Sequence, residues 1–356
     1  MIDFAHEETE QILAELEKRI AEVYRTAENE VRLTLDDYLM RFEKKDELKR
    51  KALAHGLITE REYKEWRQGQ ILIGQRWSEM SEVLAEDFSN ANGIAKSIAF
   101  TYMPEVYALN FNYGTYQVEH ESLVDTSFTL YDRHAVQSLF EDGVFYPSPG
   151  RRITDRINRG LDIAWNKQQI QSVMLQGILQ GESIPKMARR LAVTVGESNH
   201  KATIRNVRTM TTAVQNSGRV ESYKRAVSMG IKMEQEWMAT LDNRTRHEHR
   251  LLDGQRVPVG TPFKVDGYEI EYPGDPGAPG FLIYNCRCTL MASLKGFESD
   301  ASDLSLRNTN KLGGMSYEEW KNSKDIVSHP ITKQEEIAET MKRVYGAEYK
   351  RYSRLK

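Results

Sequence analysis

Between Leu13 and Phe42 apolar residues recur at spacings of three and four: Leu13, Leu16, Ile20, Val23, Ala27, Val31, Leu35, Tyr38 and Phe42. That spacing follows the 3.6-residue turn and draws one stripe along a long amphipathic helix, which needs a neighbouring helix to cover it. This end of the chain is therefore committed to a helical body. The helix is expected to end near Gly56. Thr59 and Glu62 then form a T-x-x-E capping box, opening a second helix predicted to run to about Asn92. So short a connection favours an antiparallel pair. From Phe100 to Phe128 the chain turns aromatic, with Tyr102, Tyr107, Phe111, Tyr113 and Tyr116, and is read as less regular packing surface.

Charge divides the chain. Residues 1–150 carry 28 acidic against 16 basic side chains, whereas 151–232 carry 15 basic against 5 acidic, so the net −3 hides two opposed segments. The turn sequence Tyr146–Gly150, Y-P-S-P-G, falls at the change and marks a boundary. The basic segment reads as three helices. The first carries Ile153, Ile157, Leu161, Trp165, Ile170 and Leu175, with Ser183 and Pro185 opening the next. The third is predicted from about Asn199 to Met229, stopped by Gly230. It presents Arg205, Arg208, Arg219, Lys224 and Arg225, which could meet the phosphates of double-stranded DNA non-specifically or an acidic protein surface. Mutual attraction between the two segments, or plain solvation of helix faces, would explain the same charges.

After Gly230 the texture changes. Met233, Gln235 and Trp237 alternate like one face of a strand. Asp242 is read as the N-cap of a short helix from about Thr245 to Leu252, several short strands follow, and residues 281–290 are read as a closing strand. The expected fold is mainly α with a small C-terminal α+β domain. Its four parts are an acidic helical region (1–150), a basic helical region (151–232), the α+β module (233–296) and an appended tail (297–356). In the tail Ser316 and Glu319 form a second capping box. The basic end interleaves Lys342, Arg343, Lys350, Arg351 and Arg354 with Tyr345, Tyr349 and Tyr352, suited to nucleic acid, an acidic groove, or fraying. No leader follows Met1 and no apolar run would cross a bilayer, so neither secretion nor a membrane is expected.

The chain's two cysteines, Cys286 and Cys288, stand one residue apart in the module, too close for an unstrained disulfide, and a reducing compartment fits them. Three readings of their surroundings stay open. His249, Cys286 and Cys288 are three zinc-type donors, with Asp242 or His247 available as a fourth, although His247 points about 100° from His249 on a helix and Arg246 would repel an ion. A structural cluster is the second: Arg246 and His249 would bond the carbonyls and Asn285 around N-C-R-C, the cysteines acting as small buried hydrophobes, with no cofactor. The third is an enzyme, from H-E-H or from the Glu-x-Glu pair Glu269 and Glu271. Such a pair occurs in ADP-ribosyl-transferring enzymes, but both side chains would face water on an alternating strand.

The motif W-x-A-x-x-D-x-R-T-R-x-x-H-x-x-L-D-G at Trp237 to Gly254, with N-C-R-C at Asn285 to Cys288, resembles the phage Mu F-type minor head protein family. G-I-L-Q-G-E-S at Gly177 to Ser183 and Arg208–Thr209 with Asn216 fit it as well, over roughly residues 165–292. Where that family often carries R-T-E, this chain has Met210 after Arg208–Thr209, which removes any role for that carboxylate. The resemblance implies a non-enzymatic minor capsid protein of a tailed phage or prophage, inside the head near the portal vertex and in host cytoplasm during assembly. It implies the portal protein and a major capsid or scaffolding protein as partners, and a part in DNA packaging or ejection.

Overall fold

The computed structural model describes residues 3–72, 75–122, 130–131, 136, 162–173, 176–177, 180, 182, 184–294 and 314–324. Three long helices dominate: α1 (Phe4–Ala54), α3 (Gln75–Ser122) and α5 (Glu197–Ser228), with α2 (Glu60–Leu72) and α4 (Ile184–Leu191) shorter. The protein is mainly helical with a small region of antiparallel strands near its C-terminal side, as the patterns predicted. No helix among the described residues is long and apolar enough to cross a membrane. The Tyr146–Gly150 turn, Ile153, Ile157, Leu161, Leu175, Ser183 and the Lys342–Arg354 tail lie outside the described residues.

Two compact units form, one from residues 1–16, 99–147 and 205–337, the other from 17–98, 148–204 and 338–356. In the second, the stripe read from α1 is buried at Ile20, Val23, Ala27 and Val31. Val31 joins Met80, Leu84 and Phe88 of α3, Ile170 and Val173 of helical residues 162–173, and Met187, Leu191 and Val195. A polar chain runs beside this core: Asn92 Nδ2 donates to Asn199 Oδ1 at 2.9 Å, and Asn199 Nδ2 donates to Asn166 Oδ1 at 2.8 Å. The sequence predicted separate helices here, but α4 passes into α5 through a π-helical turn, Ala192–Gly196, which Glu197 N–H closes on Ala192 O. The extra residue in that turn keeps the chain helical where a break was expected.

The capping box opens α2 as read: Thr59 N–H donates to Glu62 Oε2 at 2.8 Å and Glu62 N–H to Thr59 Oγ1 at 3.2 Å. The aromatic segment after Phe100 differs from expectation, because α3 continues through it to Ser122. From Thr101 to Glu119 every residue is buried except Glu105, Leu109 and Tyr116, which are half-buried. A helix enclosed on all sides has no polar face and hence no period to read.

Within the first unit α5 ends as the sequence indicated. Gly230 takes φ +92°, Ile231 N–H bonds Ala226 O and Gly230 N–H bonds Val227 O, a Schellman closure that a Cβ would strain. The module then forms a three-stranded antiparallel sheet in the order β2 (Arg256–Pro258), β1 (Met233–Met238), β5 (Thr289–Leu294). A hairpin of β3 (Phe263–Val265) and β4 (Tyr268–Ile270) accompanies it. Strand β1 buries Met233, Gln235 and Trp237 on one face, and Trp237 sits opposite Leu290. The core gathers Trp237, Leu252, Phe263, Ile270, Leu282 and Leu290 against Val220 and Tyr223 of α5. Each buried side chain of this size contributes about 1.5–3 kcal/mol.

Two local readings are corrected. Helix α6 is His247–Leu252 and its N-cap is Arg246, not Asp242. Asp242 instead closes the preceding turn, its Oδ1 accepting from Arg244 N–H at 2.8 Å. Residues 281–290 are not one strand: α7 (Gly280–Ile283) comes first, Asn285 turns with φ +54°, and β5 begins only at Thr289. A left-handed residue cannot continue a strand, so both cysteines lie in the turn before β5. The last described helix, α8 (Tyr317–Asn322), carries the Ser316–Glu319 capping box. Its Trp320 is buried, with Nε1 donating to Glu119 Oε2 at 2.7 Å.

Candidate functional site

The turn Asn285–Thr289 is held from below by α5. Thr209 Oγ1 accepts from Asn285 N–H at 3.2 Å, and Thr212 Oγ1 donates to Cys286 O at 2.6 Å. Asn216 Nδ2 donates to Cys288 O at 3.2 Å while its Oδ1 accepts from Leu290 N–H at 3.1 Å. Arg219 Nη1 donates to Leu290 O at 2.8 Å. Positions 209, 212, 216 and 219 are three and four apart, so one stripe of α5 presents a ladder of side chains to the backbone of N-C-R-C-T-L. Fixing both carbonyls of the two cysteines sets the direction of their side chains.

Those side chains point to His249. All three residues are buried, and Nδ1 lies 3.3 Å from Cys288 Sγ and 3.7 Å from Cys286 Sγ. His249 Nε2 stands 2.7 Å from Leu282 O. A carbonyl only accepts, so Nε2 carries a proton there, and Nδ1 is the nitrogen turned to the two sulfurs. Cys288 N–H donates to Cys286 Sγ at 3.4 Å. The hydrogen bond from Cys286 holds the Cys288 thiol down at about 5, helped by His249. The same bond, and then burial, push Cys286 well above the ordinary thiol range. The two thiols are thus coupled, with Cys288 favoured over Cys286 to ionise. Trp237 Nε1–H makes no well-aligned hydrogen bond, yet lies close enough to favour that negative charge.

A small pocket opens beside the cluster, its rim formed by Thr240, Arg244, Thr245, Arg246 and Arg287. Arg246 is engaged with Tyr284 O. Asp242 holds Arg287 at 2.8 Å, and that bond keeps its carboxyl down at about 2. Asp242 and His247 therefore stand apart from the His249, Cys286 and Cys288 donors, which are the one group of three His, Cys, Asp or Glu donors sharing a point among the described residues. Glu269 is exposed and paired with Lys264 at 3.0 Å, and exposed Glu271 donates its N–H to Asp275 Oδ2 at 3.1 Å.

The basic residues of α5 do not form one surface. Arg205 is exposed and lies over the Tyr284 ring at 5.1 Å, Lys224 is exposed, and Arg208 and Arg225 are half-buried. Arg219 is corrected outright as a contact residue: it is 0% exposed, grips Asp3 at 2.6 and 2.7 Å and Asn110 Oδ1 at 3.0 Å, and has no face for a phosphate. The sequence singled out Thr209 and Asn216 as motif elements and Arg219 as a contact residue, but did not join them with Thr212 into one ladder. Their shared three-four spacing was the available signal.

Set against known proteins, residues 168–291 match the family model described as Phage Mu protein F like protein. A minor head protein of Bacillus phage SPP1 is 32% identical over 162 residues, 44% of this chain and 50% of that protein. An NAD(+)–arginine ADP-ribosyltransferase of Enterococcus faecalis is 27% identical over 209 residues, 58% of this chain and 40% of that one. The chain thus spans half or less of the length of these curated relatives. No solved structure matches. Residues 168–291 thus resemble the phage Mu protein F like domain, and the resemblance carried by Trp237–Gly254 and Asn285–Cys288 is borne out.

Proposed function

We propose that this chain is a minor head protein of a tailed phage or prophage that docks at the portal or inner head and assists assembly. The observation that carries the reading is the family match over the α5 ladder and the module, joined by the similarity to the SPP1 minor head protein. Nothing in this role needs chemistry: the ladder makes a rigid platform, and rigid platforms suit docking. Arg205 and Lys224, exposed on α5, supply positive charge for an acidic portal face or for DNA phosphates in packaging and ejection. Size-exclusion chromatography with the portal protein of the same phage, at physiological salt, tests the docking. Co-elution, lost on charge reversal at Arg205 and Lys224, is the expected result. Separate elution would overturn portal docking and make capsid or DNA the anchor.

A second reading, ADP-ribosyl transfer, has one observation behind it, the 27% identical transferase. Incubating the chain with NAD+ and an arginine-bearing acceptor decides it. Transfer abolished by Glu271→Gln would establish catalysis; an inert protein leaves the structural role.

A further inference from the structure

We propose that His249, Cys286 and Cys288 hold a divalent metal ion of zinc type, with a fourth coordination position open to the neighbouring pocket. The donor atoms all lie within 4.8 Å of one another. A zinc ion about 2.3 Å from sulfur and about 2.0–2.1 Å from nitrogen, at tetrahedral angles, holds S and N about 3.6 Å apart. The two S···Nδ1 distances are 3.3 and 3.7 Å, so an ion fits between these atoms with little movement.

The surroundings support the ion as a ligand set should be supported. The proton on His249 Nε2 is given to Leu282 O, the arrangement that fixes a metal-bound imidazole in the right tautomer. Thr212 and Asn216 hold the Cys286 and Cys288 carbonyls from α5, turning both sulfurs inward. The N–H of Cys288 reaches Cys286 Sγ, and the buried indole N–H of Trp237 lies near Cys288. Two thiolates balance the charge of the ion. Arg246, which shares the pocket rim with Arg244 and Arg287, donates to Tyr284 O.

The fourth position faces the rim of Thr240, Arg244, Thr245 and Arg287, where no carboxylate, thiol or imidazole joins the set among the described residues. Solvent or an anion drawn by the guanidinium groups takes that place. The ion then staples helix α6 to the turn before β5, joining the two motif segments that lie far apart in sequence. It does so without lengthening either strand or helix.

The test uses the full chain, purified reduced and without chelator. Elemental analysis is expected to find one zinc per chain, and cobalt(II) exchange to give the sulfur-to-metal charge-transfer band with tetrahedral d–d absorption. Cys288→Ser should abolish the charge-transfer intensity from one thiolate, and His249→Cys should retain binding with a stronger band. A chelator should lower the melting temperature of the wild-type chain and added zinc restore it. Should the variants fail to fold, the wild-type cobalt titration alone decides. A reduced chain, folded by circular dichroism, that carries no metal and shows no charge-transfer band with cobalt would overturn the site.

Discussion

Replacing Arg219 by Met keeps the length and apolar stem of the side chain and removes its charge. The guanidinium is fully buried and bonded four times: to both oxygens of Asp3, to Asn110 Oδ1 and to Leu290 O. In Arg219→Met all these acceptors lose their donor together. Breaking a buried ion pair from one side costs about 3–5 kcal/mol, and Asp3, 22% exposed, recovers some hydration, so about 3 kcal/mol is expected. At about 2–4 °C per kcal/mol the melting temperature falls by about 6–12 °C. Asp3→Leu combined with Arg219→Met should be less damaging than the sum of the single changes by about 2 kcal/mol, since the stranded carboxylate is gone. Burial opposes ionisation of Asp3, and Arg219 outweighs it, leaving the carboxyl below its ordinary 3.8. The pair's contribution is thus fully present above about pH 3.8 and lost as pH falls through the lower folded value. Calorimetry of the four proteins is the assay. A loss under about 1 kcal/mol for Arg219→Met, or strict additivity in the double variant, would refute the buried-pair argument and return Arg219 to the surface.

Three further outcomes follow from the same geometry. Asn216→Leu leaves Leu290 N–H and the Cys288 and Pro273 carbonyls unpaired, and chemical denaturation should show a loss of about 2–4 kcal/mol; an unchanged midpoint would contradict the ladder. Gly274 sits at φ +85°, and a Cβ there would come 2.7 Å from Ala213 N of α5. Gly274→Ala is therefore expected to cost about 2 kcal/mol or more, read as a lower melting temperature. Arg287→Met should raise the Asp242 carboxyl titration from about 2 toward 3.8, followed by carbon-detected NMR against pH. A fixed midpoint would mean that Arg287 does not hold Asp242.

Much of the fold was legible because its signals are periodic or local. The α1 stripe, both capping boxes, the Gly230 stop and the β1 alternation each depend on residues within a turn or two of one another. The aromatic stretch of α3 was not, since a helix buried on every side carries no contrast between faces. The turn before β5 was misread as strand because Phe281–Tyr284 is apolar enough for either, and only the left-handed Asn285 separates them. At the site, sequence singled out His249, Cys286 and Cys288 as zinc-type donors, and Asp242 as a possible fourth; the fold converges the first three and turns Asp242 to Arg287. What spacing could not reveal is which arginines reach solvent. Arg205 and Arg219 look alike in the sequence, and burial by residues more than 70 positions away separates them.

Whether the chain is built into phage heads is decided by the protein content of the particles. Quantitative mass spectrometry of purified empty and DNA-filled heads, from the phage or prophage that encodes it, should find the chain in the empty heads at far fewer copies than the major capsid protein. Its complete absence from both kinds of particle, with the chain abundant in the producing cells, would contradict a minor head protein.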